Sequence, residues 1–177
     1  FLIKGFIKGN PPKKMMQNST KPSKEQVITQ AIQFHLQGNI LEAIKYYQYC
    51  INKGFNDQRV FSNYGAILQG LNKLEDAAKY YLKAIELNPN YVDANSNLGN
   101  VLRELGNLED AEIYTRKAIE LNPKFANAHS NLGNILKDQG KTKQAEFYYR
   151  KAIELNPNLA QAHCNLGDIL KEIGKLK

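Results

Sequence analysis

Asparagine returns every 34 residues along this chain, at Asn63, Asn97, Asn131 and Asn165, and a second series follows at Asn100 and Asn134, with Asp168 in the next place. Each carboxamide offers two N–H donors and a carbonyl with two lone pairs. A column of them complements a peptide main chain held extended. The same groups can also tie one helix to its neighbour, and both roles are open. Beside the column stand Arg103, Lys137 and Lys171, again 34 apart, and next to them Glu104, Asp138 and Glu172, which would set a charge preference. Residues that carry covalent chemistry in other proteins are poorly placed for it. His129 and His163 lie 34 apart on an apolar face and read as core, and His35 has no partner in sequence. Cys164 beside His163 is no nucleophile pair, because adjacent helix residues point in different directions. Two cysteines cannot fill a zinc site, and no glycine-rich phosphate loop follows a strand. No active site, metal or cofactor is expected.

The strings between these residues show what must position them. Lys-Ala-Ile-Glu-Leu-Asn-Pro occurs at Lys83–Pro89, Lys117–Pro123 and Lys151–Pro157, and residues 92–125 match 126–159 at 19 of 34 positions. A period of this length means stacked supersecondary units, none of which buries its apolar face alone. Units are counted here from residues 24, 58, 92, 126 and 160. At about 100° per residue, positions 4, 7, 8 and 11 share one helix face, and positions 2, 5, 6, 9, 12 and 13 the opposite one. That second face carries the asparagines at 6 and 9, with Ser62, Ser96, Ser130 and Cys164 at 5. Positions 17, 20, 24, 27 and 28 form the apolar stripe of a second helix, as in Leu74, Ala77, Tyr81, Ala84 and Ile85. Glycine at position 8, such as Gly133, lets two helices approach closely. Gly106 and Gly140 can end the first helix in a left-handed turn. Pro89, Pro123 and Pro157 cannot continue the second.

The pattern resembles the tetratricopeptide repeat. Leu98-Gly99, Leu132-Gly133 and Leu166-Gly167 stand at positions 7 and 8, Ala43, Ala77, Ala111 and Ala145 at 20, Ala84, Ala118 and Ala152 at 27, and the three prolines at 32. The likeness covers 24–177. It divides the chain into a leader (1–23), a divergent first repeat (24–57), three regular repeats (58–91, 92–125, 126–159) and the first helix of a fifth (160–177). The first repeat has Gln30-Ala31 for Leu-Gly and Cys50 at position 27. Position 4 is Phe61, Asn95, His129 and His163 rather than a regular aromatic, and Thr115 replaces the tyrosine found at positions 47, 81 and 149. The resemblance implies an all-α fold, an α-solenoid of stacked antiparallel helix pairs in a right-handed superhelix, whose first helices line a concave groove that binds protein or peptide. The asparagine column is similar to the ladder in the repeat region of O-linked N-acetylglucosamine transferases, and the repeats as a whole to bacterial arrays. Another mode of the family, a clamp on an acidic C-terminal tail, needs Lys or Arg at positions 2, 5 and 6. Only Arg59 qualifies, so that mode is not expected.

The net charge of +7 points to nucleic acid only until it is located. Lys4, Lys8, Lys13, Lys14 and Lys21 give residues 1–23 five positive charges and no negative one, leaving 19 basic against 17 acidic residues in the remainder. The leader also carries Pro11, Pro12 and Pro22 and reads as a flexible, solvated tail, so nucleic acid is not an expected partner. No apolar run approaches the ~20 residues that span a bilayer. The start of the chain makes no adequate secretion signal, so a cytoplasmic location is expected. The sequence therefore reads as an interaction scaffold. Asn63, Asn97, Asn100, Arg103, Asn131, Asn134, Lys137, Asn165, Asp168 and Lys171 would line a groove for an extended peptide or a partner helix. Self-association through the uncovered side of the last helix, with Ile169, Leu170 and Ile173, is a further route. The alternative is the substrate-recruiting part of a larger transferase, such as a glycosyltransferase, since the chain lacks an initial Met and its last repeat is cut.

Overall fold

The computed structural model describes residues 22–175, so the leader lies almost wholly outside the described residues. Its end, Ser23, caps the first helix: the Ser23 hydroxyl accepts from the Gln26 amide and the Gln26 side chain accepts from the Ser23 amide. Two otherwise orphaned donors are satisfied this way. Nine helices follow among the described residues, with no strand: α1 (Lys24–Leu36), α2 (Ile40–Asn52), α3 (Gln58–Gly70), α4 (Leu74–Leu87), α5 (Val92–Glu104), α6 (Leu108–Leu121), α7 (Ala126–Asp138), α8 (Thr142–Leu155) and α9 (Ala160–Lys175).

Two kinds of turn are used, each dictated by its residues; they alternate from α3 onward, whereas α2 ends in a left-handed Gly54 at φ 69° as the odd helices do. Odd helices end in left-handed residues, Gly38, Gly106 and Gly140, with φ of 72°, 81° and 77°. Asn72 fills that place after α3 at φ 57°, a conformation asparagine tolerates better than other side-chain-bearing residues. The next amide then bonds back to the helix, as in Asn107 N to Leu102 O at 2.9 Å and Lys141 N to Leu136 O at 2.8 Å, which satisfies carbonyls the helix end leaves open. Helices α4, α6 and α8 end instead at Asn88, Asn122 and Asn156, which are extended because a proline follows. Each of these asparagines accepts, through its side-chain oxygen, from the amide two residues on at 3.1 Å.

Packing explains the small residues. Tyr47, Tyr81 and Tyr149 are fully buried, as are Ala43, Ala77, Ala111 and Ala145. A Cβ at Gly65 would stand 3.1 Å from the Tyr81 ring, and one at Gly133 would stand 2.5 Å from Tyr149. These glycines are there because the partner ring occupies the space. Cys50 is buried at a small-residue position of α2, and burial pushes its thiol up to about 12.

Each even helix packs between the odd helices on either side of it in the chain. Successive odd helices also touch: α1 meets α3, α3 meets α5, α5 meets α7 and α7 meets α9. The even helices lie farther apart, and α6 reaches α8 only through side chains, Arg116 donating to the Tyr148 hydroxyl at 3.2 Å. A stack joined this way bends, with the odd helices on its inner side. At its far end α9 buries Ile169, leaves Ile173 half-buried and exposes Leu170. The expectation that all three would be uncovered is corrected for Ile169, which faces α8. Gly167 has nothing within 4 Å of where its Cβ would be.

Candidate peptide-binding face

Four odd helices bring the predicted column onto the inner side. Asn63 (α3), Asn97 and Asn100 (α5), Asn131 and Asn134 (α7) and Asn165 (α9) are all half-buried, as is Arg103, while Lys137, Asp168 and Lys171 are exposed. The serines at position 5 depart from the expectation of an open face. Ser62, Ser96 and Ser130 are buried, because each sits where the next odd helix packs against its own. Cys164, with no further odd helix described beyond it, is exposed.

The amides are knitted from pair to pair. Asn131 Nδ2 donates to the Ser96 hydroxyl at 3.1 Å, across 35 residues. Asn165 Nδ2 donates to Asn134 Oδ1 at 2.7 Å, and the Tyr149 hydroxyl donates to the same oxygen at 2.9 Å. The Gln161 side chain donates to Asn165 Oδ1 at 2.8 Å. Earlier in the stack the Tyr81 hydroxyl donates to Gln69 Oε1 at 3.2 Å and lies beside Asn97, and the Tyr47 hydroxyl lies beside Asn63. Burial raises all three tyrosines, Tyr149 to about 12. Tyr81 and Tyr149 act as neutral donors. Asn131, Asn134 and Asn165 thus perform the inter-helix role, and with four hydrogen-bonding sites per carboxamide these bonds leave capacity on the half-open face.

A second line of bonds runs along one edge. Gln69 Nε2 donates to Glu104 Oε1 at 3.3 Å, and Asn100 Nδ2 donates to the same oxygen at 2.7 Å. One pair further on, Arg103 meets Asp138 at 2.9 Å. Position 12 of one unit therefore reaches position 13 of the next. At the start of the stack Arg59 is held by two carboxylates. It donates to Glu25 at 2.9 and 2.7 Å and to Asp57 at 3.0 and 2.9 Å. The hydrogen bonds from Arg59 lower both carboxyls, and the two carboxylates in turn raise the guanidinium.

Position 4, read as core, has a structural task that went unrecognised. His129 Nε2 lies 2.9 Å from the Pro123 carbonyl and His163 Nε2 lies 2.9 Å from that of Pro157. Only a protonated Nε2 can donate there. Asn95 Nδ2 does the same toward Pro89 O at 3.3 Å and Tyr91 O at 2.9 Å. These side chains fix the turn between an even helix and the odd helix after it. His129 is buried and stacks on Tyr148 at 6.0 Å; His163, with no such ring over it, is exposed. Among the described residues no group of His, Cys, Asp and Glu is arranged to hold a metal ion, and no helix is long and apolar enough to cross a membrane.

Helix pairs joined by left-handed and Asn-Pro turns, bent so that one set of helices lines an amide-bearing inner side, define a helical-repeat solenoid. Family models described as tetratricopeptide repeat match residues 58–91, 80–113, 126–159 and 148–177, and a TPR repeat model matches 99–140, so the matches run unbroken from 58 to 177. The chain belongs to the tetratricopeptide repeat family. Residues 24–57 lie outside these matches yet form the same kind of helix pair.

Solved structures share the fold. The MamA protein aligns with a TM-score of 0.71 at 20% identity, over 85% of this chain and 82% of that one. The pilF protein of Pseudomonas aeruginosa aligns with a TM-score of 0.75 at 20% identity, over 86% and 69%. The first TPR of Spaghetti (RPAP3), bound to the HSP90 peptide SRMEEVD, aligns with a TM-score of 0.63 at 23% identity, over 67% and 94%. No curated protein matches the sequence.

Proposed function

We propose that this chain is a protein-interaction scaffold whose inner face binds an extended peptide through its main chain. The observation that carries the reading is the run of half-buried carboxamides, Asn63, Asn97, Asn131 and Asn165 with Asn100 and Asn134, on successive odd helices. The orientation of Asn131, Asn134 and Asn165 is set by bonds to Ser96, Tyr149 and one another, so little of their side-chain freedom remains to be lost on binding. An extended segment has unpaired amides and carbonyls to offer. A helical partner has already used most of its own, so the extended form is favoured.

The family relative bound to SRMEEVD does not set the ligand here. The one cation at position 2, Arg59, is taken up by Glu25 and Asp57, and Arg103 by Asp138. Neither is left to clamp a terminal carboxylate.

The test is selection of a peptide from a displayed random library on the full chain, followed by single N-methylation of its backbone amides. Removing two or three main-chain donors should abolish binding measured by fluorescence anisotropy, while alanine replacement of most side chains should change it less than about threefold, the scale of contacts outside hot spots. Asn97→Ala and Asn131→Ala should each weaken binding. Asn131→Ala should also lower stability by about 1 kcal/mol, because the Ser96 hydroxyl loses its partner. A peptide whose N-methylated forms bind as tightly as the parent would sink the reading.

A further inference from the structure

The inner face also carries a charge pattern that the whole-chain balance hides. Positions 2, 6, 9 and 13 of an odd helix fall within about 60° of one another at 100° per residue. On α5 this stripe reads Asp93, Asn97, Asn100 and Glu104, two amides between two carboxylates. On α7 it reads Asn127, Asn131, Asn134 and Asp138, and on α9 Gln161, Asn165, Asp168 and Glu172. No lysine stands in any of these stripes. The arginine in the α3 stripe, Arg59, is shared by two carboxylates.

The carboxylates of the two faces differ in what holds them. On the even helices seven of the ten carboxylates are each paired with a Lys or Arg three or four residues away, Glu112 with Arg116 and Glu146 with Arg150 among them, with Glu75, Glu109 and Asp110 outside such pairs. On α5 the reverse holds. Glu104 is exposed and receives only neutral amides, from Gln69 and Asn100. Asp93 is exposed and joins no ion pair among the described residues. Cations without an ion pair, Lys137 and Lys171, lie to one side and only on α7 and α9, where Asp168 and Glu172 stand near them in sequence. The middle of the inner face is therefore amide-lined and negatively charged, on a chain whose net charge is +7.

From this contrast we infer that the inner face selects extended segments bearing lysine or arginine, with the basic side chains seated at the level of α5 near Asp93 and Glu104, and disfavours acidic tails. The inference rests on the main-chain reading above. The amides hold the backbone and the carboxylates choose among side chains. Asp93 and Glu104 are eleven residues apart, about 16 Å along the helix, so a segment crossing α5 at Asn97 and Asn100 passes roughly midway, about 8 Å along the axis from each, and its basic side chains can extend to either.

Three peptides of equal length on the full chain test this: repeats of Gly-Ser-Lys, of Gly-Ser-Gln and of Gly-Ser-Glu, titrated while the side-chain amide resonances of Asn97 and Asn100 are followed by NMR. At low salt the lysine peptide should bind about fivefold tighter than the glutamine peptide and the glutamate peptide more weakly still, a scale set by two exposed charge contacts. The preference should fade toward 1 M salt, where the screening length falls to about 3 Å. In the double variant Asp93→Asn, Glu104→Gln the lysine-to-glutamine ratio should fall to near one; because both peptides meet the same protein, the ratio is insensitive to any change in folded fraction. Equal binding of the lysine and glutamate peptides, or a ratio unmoved in the variant, overturns the charge selection while binding of the glutamine peptide keeps the main-chain reading. If none of the three moves the Asn97 and Asn100 resonances, the main-chain reading falls and the charge selection falls with it.

Discussion

The pairs α5–α6 and α7–α8 come from segments identical at 19 of 34 positions, yet they are joined differently at one residue. In α8, Tyr149 fills the space under Gly133 and its hydroxyl reaches through to Asn134, which in turn receives Asn165. In α6 the same place is Thr115. Its hydroxyl is too short to reach the inner face and is buried without a partner, and Asn131 turns back to Ser96 instead. Where the smaller residue sits the backbones are closer: a Cβ at Gly99 would lie 3.0 Å from the Ala111 carbonyl oxygen, against 3.3 Å between Gly65 and Ala77. One side chain on the outer helix thus decides how the inner amides are wired. The core and the inner face are not independent.

The most disruptive way to test this comparison is to make the second pair resemble the first. Tyr149→Thr should cost about 3 kcal/mol, in the range for deleting a buried aromatic ring, and the loss should appear in chemical denaturation. It should also free Asn134, visible as a shifted side-chain amide resonance; an unmoved resonance would show that the hydroxyl does not organise the face. Gly133→Leu should follow at about 1 to 3 kcal/mol through overpacking against that ring. Gly167→Leu, placed where nothing lies within 4 Å, should leave the melting temperature at or slightly above the wild-type value, since leucine favours a helix more than glycine. The smallest effect is expected from Thr115→Val, which keeps the shape and removes the unpaired hydroxyl. It should stabilise by up to about 1 kcal/mol. A loss of stability would mean that Thr115 has a partner after all.

How much of this was legible depended on whether a feature repeats within a helix or between units. The apolar stripes, Gly106 and Gly140 at helix ends, and the proline stops are local, and they read directly from spacing. The burial of Ser62, Ser96 and Ser130 is not local. Helical periodicity assigns position 5 to the face carrying the asparagines, but only the approach of the next odd helix decides that it is covered. The turn lock at position 4 left a faint sign, an Asn or His six residues after each proline, whose meaning needs the carbonyl's direction in space. Asn72 was concealed by its type: it stands 34 residues before Gly106 and does the work of a glycine. For the candidate face, the residue types were readable, whereas the pairing of Arg103 with Asp138 and the sharing of Asn134 by Tyr149 and Asn165 depend on the register between units.

The close backbone approach of odd helices to one another, which the even helices lack, makes the stack an asymmetric spring. Curling it more tightly crowds side chains already in contact along the inside, including the Asn131–Ser96 and Arg103–Asp138 bonds, so that direction is stiff. Uncurling meets a softer resistance, because the outer helices lie farther apart and touch through long side chains such as Arg116 and Tyr148. A ligand laid along the inside would load the molecule in its compliant direction, widening the arc until contact is gained and letting elastic recoil hold it.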